Sequence, residues 1–379
     1  MNIPVFRPSV NTERALELLR EVFESGWLGM GPAVAELERK LADRLSVKHF
    51  IATNSCTAAL HLAVKTLDLP PGSEVLTSPI TFVAGNAVLL YEDLRPLFAE
   101  VEPRSGNMNP NLKLDELRRC GAVIVTHLGG YPCNMDEINA RAQRCGLPVI
   151  EDCAHAFGST YYSKYEVPGK ERVVGNTDNV CCWSFHAVKN LGIGDGGGIS
   201  TNDDKLAERL RRLRWMGIDK STAERTGNTY ATEYDISELG YKHHMNDVAA
   251  AVALAQLETV DADNARRLSI VKRYARGLKR CGTPWYGPNE LSSCHFWPVF
   301  VAGPWEVAEE LAKRGISTTR HYRPNFLYRP FLRSNLTQES SAAAWSYYDQ
   351  ALVLPLFPSM TEQEVDYVIR NFNEVMEQR

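Results

Sequence analysis

Apolar positions in this chain follow two rhythms. Leu16, Leu19 and Phe23 fall on one face of a helix predicted over 12–23, and a second amphipathic helix is predicted over 32–45, with Pro32 in its first turn. Between them Ser25-Gly-Trp-Leu-Gly-Met-Gly-Pro holds too much glycine for anything but a loop. Phe50-Ile-Ala-Thr then leads into Asn54-Ser-Cys-Thr57, and 58–67 is predicted helical. From there short unbroken apolar runs alternate with helical stretches: Glu74-Val-Leu-Thr-Ser, Ala122-Val-Ile-Val-Thr, Pro148-Val-Ile-Glu-Asp152 and Asn179-Val-Cys-Cys-Trp-Ser184. Buried strands separated by helices predict βαβ units and a mostly parallel sheet.

The rhythm changes near residue 250. A long helix is predicted over 248–278, alanine-rich first and Arg/Lys-rich later, followed by a strand over 295–301, a helix over 305–314 and a strand over 315–322. Thr361-Glu-Gln-Glu364 is a capping box that opens a terminal helix. The expected architecture is α/β: a large domain over 1–250 with a mostly parallel sheet flanked by helices, and a smaller C-terminal α+β domain over 251–379.

Composition narrows the function classes. The 379 residues carry 42 Lys+Arg against 46 Asp+Glu, a net charge of −4, which argues against nucleic acid as a partner. The longest apolar run, 248–255, is far below the roughly 20 residues that cross a bilayer, and no secretory signal opens the chain, so neither membrane nor export is expected. Nine cysteines without a CxxC spacing read as reduced thiols of a cytoplasmic protein.

Three segments carry candidate chemistry. In Val149-Ile-Glu-Asp152-Cys-Ala-His155 an aspartate stands at the carboxyl end of a buried strand, where open α/β sheets bind ligands. It either caps a following helix or pairs with a ring nitrogen such as a pyridinium. In Trp183-Ser-Phe-His-Ala-Val-Lys189-Asn-Leu-Gly a lysine leaves an apolar strand for a glycine-rich turn. An amine confined there loses basicity and becomes a nucleophile able to form a Schiff base. Asn54-Ser-Cys-Thr57, with Ser184 nearby, offers hydroxyls and N–H groups at a helix start, either as a plain N-cap or as a phosphate cradle. Gly192-Ile-Gly-Asp-Gly-Gly197 matches GxGxxG, but it precedes a strand and not a helix, so it reads as a tight turn. His243-His244 and Cys181-Cys182 lack metal-site spacing, and no metal is expected.

Together these segments resemble the DegT–DnrJ–StrS family of pyridoxal-phosphate sugar aminotransferases, of the aspartate-aminotransferase fold type. The resemblance runs from Ser25-Gly-Trp-Leu-Gly-Met-Gly-Pro to Leu354-Pro-Leu-Phe-Pro-Ser-Met-Thr-Glu, through Glu-Asp-Cys-Ala-His and Ser-Phe-His-x-x-Lys-Asn. It implies pyridoxal 5'-phosphate as cofactor, bound covalently through Lys189, which then acts as acid and base. It further implies Asp152 on the ring nitrogen, His155 near the ring hydroxyl, Phe82 on the ring face, and Cys56, Thr57 and Ser184 around the phosphate. Trp27, Met30, His186, Arg320, His321 and Tyr322 are the substrate-side residues it implies. The family works as a homodimer, which brings Lys242 to the partner subunit's phosphate where many relatives carry asparagine. Phe326 departs from the histidine of many members and puts the usual nucleotide contact in doubt, and 161–176 looks longer than in many relatives.

The activity implied is transfer of an amino group from L-glutamate to a keto-sugar, expected to be nucleotide-linked, in amino-sugar biosynthesis. A free keto-sugar or a cyclitol remains open given Phe326. A sugar dehydratase of the same family is the rival activity, but that branch replaces the Schiff-base lysine by histidine, and Lys189 argues against it. A cofactor-binding sensor would bind without turnover. A plain interaction protein leaves unexplained why Asp152, Ser184 and Lys189 all follow strand ends.

Overall fold

The computed structural model describes residues 1–165, 171–219, 234–332 and 341–379. Seven strands stand at its centre: β1 (His49–Thr53), β2 (Glu74–Thr77), β3 (Arg95–Phe98), β4 (Cys120–Thr126), β5 (Val149–Asp152), β8 (Val180–Ser184) and β9 (Gly197–Thr201). They form one sheet in the order β1-β9-β8-β5-β4-β2-β3. β6 (Thr160–Tyr162) and β7 (Glu171–Val173) form a separate antiparallel ribbon within the stretch 161–176, of which 166–170 lie outside the described residues.

Strands β8, β5, β4, β2 and β3 run parallel, whereas β9 is antiparallel to both β8 and β1. With β9 reversed between them, β1 and β8 point the same way. The carboxyl ends of β1, β2, β4, β5 and β8 therefore share one edge, where open α/β sheets bind ligands. The expected mostly parallel sheet is present, and its strands are unbroken apolar runs because both faces are covered: every residue of β5 and β9 is buried. The cover comes from α1 (Thr12–Ser25), α2 (Pro32–Leu45), α3 (Cys56–Lys65), α4 (Ala84–Tyr91), α5 (Leu114–Leu117), α6 (Met135–Arg144) and α7 (Asp204–Leu213). All seven residues from Ala58 to Val64 of α3 are buried, which explains its continuous apolar run.

The helix predicted over 248–278 is two helices, Asp247–Leu257 and Val260–Gly277. The first buries Ala250, Ala253 and Leu254 in the core around Leu37, Leu41 and Trp183. The second buries Ile270, Val271 and Tyr274 in a separate core with Val299, Leu311 and Phe372. Two faces aimed at two cores cannot lie on one straight rod. Ile3, at the start of the chain, also belongs to that second core.

The strand predicted over 295–301 narrows to β10 (Pro298–Phe300), paired with β11 (Ala351–Val353). The strand predicted over 315–322 does not form. Only single bridges, Ile3 to Ile316 and Thr319 to Val353, hold that segment. Helix Pro304–Lys313 matches the expectation within a residue, and helix Glu362–Glu377 opens on the capping box, with Thr361 Oγ1 accepting from the Glu364 N–H at 3.1 Å.

One buried polar chain ties the C-terminal segment to the sheet edge. Thr77 Oγ1 donates to Asn86 Oδ1 at 2.7 Å, and Asn86 Nδ2 donates to the Ser78 carbonyl and to Asn325 Oδ1, each at 3.1 Å. Asn325 Nδ2 in turn donates to the Thr81 carbonyl at 2.8 Å. Both asparagines are fully buried. Replacing Asn86 with Ala strands its partners away from water and should cost about 1–3 kcal/mol, read as a lower Tm in thermal denaturation. An unchanged Tm would mean that the chain of amides does not carry stability.

Candidate active site

The turn between β8 and β9 sets the position of Lys189. Phe185 and Leu191 are fully buried anchors on either side of it. The backbone locks the turn: Phe185 N–H donates to the Gly196 carbonyl at 2.8 Å, Ala187 N–H to the Gly194 carbonyl at 2.7 Å, and Lys189 N–H to the His186 carbonyl at 2.8 Å. The glycine run expected as a tight turn is instead the returning limb: the turn falls at Ala187–Val188, and Gly194 bridges back to His186 before the chain enters β9. Gly197 is required by close approach, since a Cβ there would lie 2.6 Å from the backbone N of Cys56.

Lys189 and Asp152 line one cavity of about 680 Å³ at the carboxyl edge of the sheet, together with Cys56, Thr57, Phe82, His155, Ser184, His186, His321 and Tyr322. Burial of the Lys189 ammonium pulls its pKa down to about 8, although the negative charge of Asp152 opposes the shift. Burial pushes the Asp152 carboxyl up, against the opposing pull of the Ala154 N–H and of Lys189. Asp152 Oδ1 accepts from the Ala154 N–H at 3.1 Å in a local turn, so it does not cap a helix.

The start of α3 faces the same space. Ser55 caps it by accepting from the Ala58 N–H at 3.1 Å. That bond leaves the N–H groups of Cys56 and Thr57 without intrahelical acceptors, as at every helix start. Cap and anion cradle are thus not alternatives here: Ser55 serves the first and the next two residues can serve the second. Burial raises the Cys56 thiol well above its ordinary pKa, which makes it a poor nucleophile. Phe82 is 56% exposed and presents its ring to the cavity, edge-on to Tyr322 at 6.2 Å. The Tyr322 hydroxyl meets His155 Nε2 at 3.2 Å.

Four sequence-predicted residues lie elsewhere in the chain. Trp27, Met30 and Lys242 line a second cleft with Trp215 and His244. Trp27 Nε1 donates to the Met30 carbonyl at 3.1 Å, and the Lys242 ammonium sits 4.0 Å from the Trp215 ring centroid. Arg320 is held between the rings of Trp305 and Tyr348 and does not line the Lys189 cavity. Sequence reasoning missed Phe6, Thr81, His295, Thr318 and Thr319, which do line it. They come from four segments far apart in the chain, and no local pattern marks them.

Among the described residues one group has metal-ligand side chains close together, His127, Glu151 and Cys153. Glu151 already accepts from His127 Nε2 at 2.9 Å, Thr177 Oγ1 at 2.9 Å and Asn179 Nδ2 at 2.7 Å. It is a satisfied buried pair that steadies the end of β5 beside Asp152. His243 is likewise engaged, with His61 at 3.4 Å, and Cys181 and Cys182 are buried within β8. All nine cysteines are unbridged.

A nucleophilic amine, a buried carboxylate and a helix-start anion cradle converge at one edge of an α/β sheet. That donor set fits pyridoxal phosphate, which needs an amine for its aldehyde, a carboxylate for its ring nitrogen and N–H donors for its phosphate. The comparisons agree on the class. Residues 10–373 match the DegT/DnrJ/EryC1/StrS aminotransferase family, and the chain belongs to it. It is 33% identical to the spore coat polysaccharide biosynthesis protein SpsC of Bacillus subtilis (strain 168), across 99% of this chain and 97% of that one. It is similar to Spr1654 of Streptococcus pneumoniae in its PMP form, with TM-score 0.90 and 27% identity over 100% of both chains. It also resembles the sugar aminotransferase CalS13 of Micromonospora echinospora, with TM-score 0.86 and 28% identity over 98% of this chain and 99% of that one. The chain is an enzyme of that aminotransferase class. No helix among the described residues is long and apolar enough to cross a membrane.

Because the Lys189 pKa is lowered, its neutral amine is present at lower pH than on other lysines. Reductive alkylation of the cofactor-free protein with a small aldehyde, followed by peptide mass mapping, should show Lys189 modification levelling off above pH about 8. Surface lysines should keep gaining reactivity towards about 10.4. A Lys189 profile identical to theirs would refute its burial beside the cavity.

Proposed function

We propose that this protein is a pyridoxal-phosphate-dependent aminotransferase that moves an amino group from L-glutamate to a keto-sugar, most directly a nucleotide-linked keto-deoxysugar. The observation that carries the reading is the shared cavity of Lys189 and Asp152, with the lysine pKa lowered to about 8. Relatives support it: Spr1654 exists in PMP and PLP forms, and CalS13 is a sugar aminotransferase.

When bound, pyridoxal phosphate supplies an aldehyde carbon and an electron-withdrawing ring. The chain's own residues do the rest. Asp152 would hold a proton on the ring nitrogen, and Phe82 would cover one ring face. Cys56 and Thr57 would donate backbone N–H groups to the phosphate, with the Ser184 hydroxyl beside them. Lys189 Nζ would take the proton from the carbon that bears the donor's amino group and return it to the former aldehyde carbon on the other side of that nitrogen. Holding amine and ring together makes each proton transfer intramolecular. His155 would lie near the ring hydroxyl, His186 would act beside Lys189 and face the substrate, and His321 and Tyr322 would face the sugar.

We further propose a homodimer in the cytoplasm, in which the cleft of Trp27, Met30 and Lys242 completes the partner's site and Lys242 reaches the partner's phosphate. The boundary expected at 250 moves to the helix break at 258–259, since Ala253 and Leu254 pack in the first core; the cofactor-binding domain would precede that break and the small domain, which carries Arg320 and the substrate-side segment and is joined by Ile3, would follow it. Phe326 favours a second reading of the substrate. It is buried against Phe98 and Trp345, at 6.1 and 6.2 Å, so position 326 offers no polar contact to a nucleotide. A free keto-sugar or cyclitol fits that feature.

Replacing Lys189 with Ala should abolish both the visible absorbance that develops with pyridoxal phosphate and all turnover. Wild-type protein that develops no such absorbance would end the reading. Incubation with glutamate and a panel of keto-sugars, with mass spectrometry of the products, identifies the acceptor; binding without turnover would point to a sensor. Replacing Lys242 with Ala should weaken cofactor affinity about tenfold by removing one charge-assisted contact. Unchanged affinity in a titration of the dimer would remove Lys242 from the site.

A further inference from the structure

The cavity presents a problem of charge. L-glutamate enters with two carboxylates, yet in one subunit's share of the cavity no arginine appears among the described residues and Lys189 is its one lysine, while the partner's Lys242, in the reading above, is spent on the phosphate. Two aspartates, Asp152 and Asp195, line it as well and repel an anion. The remaining candidates for cations are imidazoles.

His155, His295 and His321 form one aromatic wall with Phe6 and Tyr322. His155 stacks on His295 at 4.5 Å between centroids. The Phe6 ring lies parallel to both His295 and His321, at 5.6 and 5.8 Å. His155 is tied down, by the Tyr322 hydroxyl on Nε2 at 3.2 Å and the Gly129 N–H on Nδ1 at 3.4 Å. His295 is not. It is 2% exposed, its backbone N–H is bound to the Gly129 carbonyl, and its buried Nδ1 has no partner. Arg267 is 4% exposed, and its Nε and Nη1 are also without partners. Buried polar nitrogens are nearly always hydrogen-bonded, so His295 Nδ1, on a residue that lines the cavity, asks for a partner, whereas Arg267 does not line it.

We propose that His295, with His321 across the Phe6 ring, is the docking site for a carboxylate of the amino donor, and that the anion enters together with a proton drawn from solvent. The proposal rests on the aminotransferase reading above. The electrostatics support the coupling. Burial holds His295 neutral, and Lys189, His155, Arg267 and His321 all add to that effect. Burial and then Lys189 pull His321 down to about 3. The charged and titratable groups around the pair are thus Lys189, Arg267, His155 and Tyr322, with Asp152 beyond Tyr322 and His186 and Asp195 on the same cavity. An arriving carboxylate opposes these effects and raises the imidazole pKa by about 1–3 units. The sign follows: the bound state holds more protons, so donor affinity rises as pH falls and weakens by up to about tenfold per pH unit above the bound-state pKa.

Glutarate is the probe, because it carries both carboxylates and no reactive amine. Calorimetric titration of glutarate into the cofactor-loaded protein, in two buffers of different ionisation enthalpy, counts the protons taken up. Run at about pH 5, where a rise of about 1–3 units brings a buried imidazole into its titration range, wild type should take up a readable fraction of a proton per glutarate. His295→Phe keeps the stacking and His295→Asn keeps a hydrogen bond, but both should lose the proton uptake and bind glutarate about tenfold more weakly. In turnover, KM for glutamate should rise with kcat for the sugar half-reaction unchanged. Each variant's visible absorbance with the cofactor and its Tm report that it is folded, and His321→Asn repeats the glutarate titration alone, without the turnover readout, should the His295 variants fail to fold. Proton uptake unchanged in these variants, or no glutarate binding by the wild type, would overturn the proposal. Failure of the cofactor absorbance in wild type would instead strike the underlying reading and leave carboxylate binding measurable on its own.

Discussion

An ammonium and a carboxylate share one buried wall, and the sheet is arranged so that they meet there. Each would be costly alone in a low-dielectric site, and the attraction between Lys189 and Asp152 offsets only part of that cost. Burial therefore dominates both groups: the lysine becomes easier to deprotonate and the aspartate harder. Strand order makes the meeting possible. Asp152 ends β5, and the Lys189 turn follows β8, its parallel neighbour. Reversal of β9 lets the chain turn back directly after the lysine without leaving the sheet edge.

The rest of the molecule holds that edge through contacts between residues far apart in sequence. The N-terminus of α2 has no cap of its own. Asp247 supplies one, accepting from the N–H groups of Gly31, Ala33 and Val34 at 2.8, 3.1 and 3.0 Å. One carboxylate thus fixes the glycine-rich loop of Trp27 and Met30 to the segment that carries Lys242. Gly31 itself leaves room for the Trp27 indole, which a Cβ would strike at 1.9 Å. The amides of Asn86 and Asn325 do the same for the segment that carries His321 and Tyr322. Local propensity accounts for neither link, since each joins pieces more than 200 residues apart.

The site's polarity is uneven for a physical reason. At the start of α3 it offers backbone N–H groups, which need no counter-charge when empty. Its opposite wall carries imidazoles, which burial holds neutral. A permanent arginine there would face Lys189 across a dry cavity and raise the cost of burying both. Histidine avoids that repulsion because its charge is conditional.

How far the sequence alone reached differs by element. Strand runs such as Val149-Ile-Glu-Asp152 are legible because both sheet faces are covered and apolar residues become continuous. Lys189 and Asp152 are legible because a charged group at the end of such a run is costly to bury unless chemistry keeps it there. The helix 32–45 and the capping box at Thr361 are legible because their signals are local. The break at 258–259 and the absent strand over 315–322 were not, because two separate cores and single bridges decide them. Phe6 and His295 escaped notice because nothing nearby in the chain marks them. The sequence by itself determined the alternation of elements and singled out Lys189 and Asp152, since those follow from burial period and side-chain chemistry. The tertiary structure alone decided which distant rings and amides surround them, since such contacts depend on how strands order across the sheet.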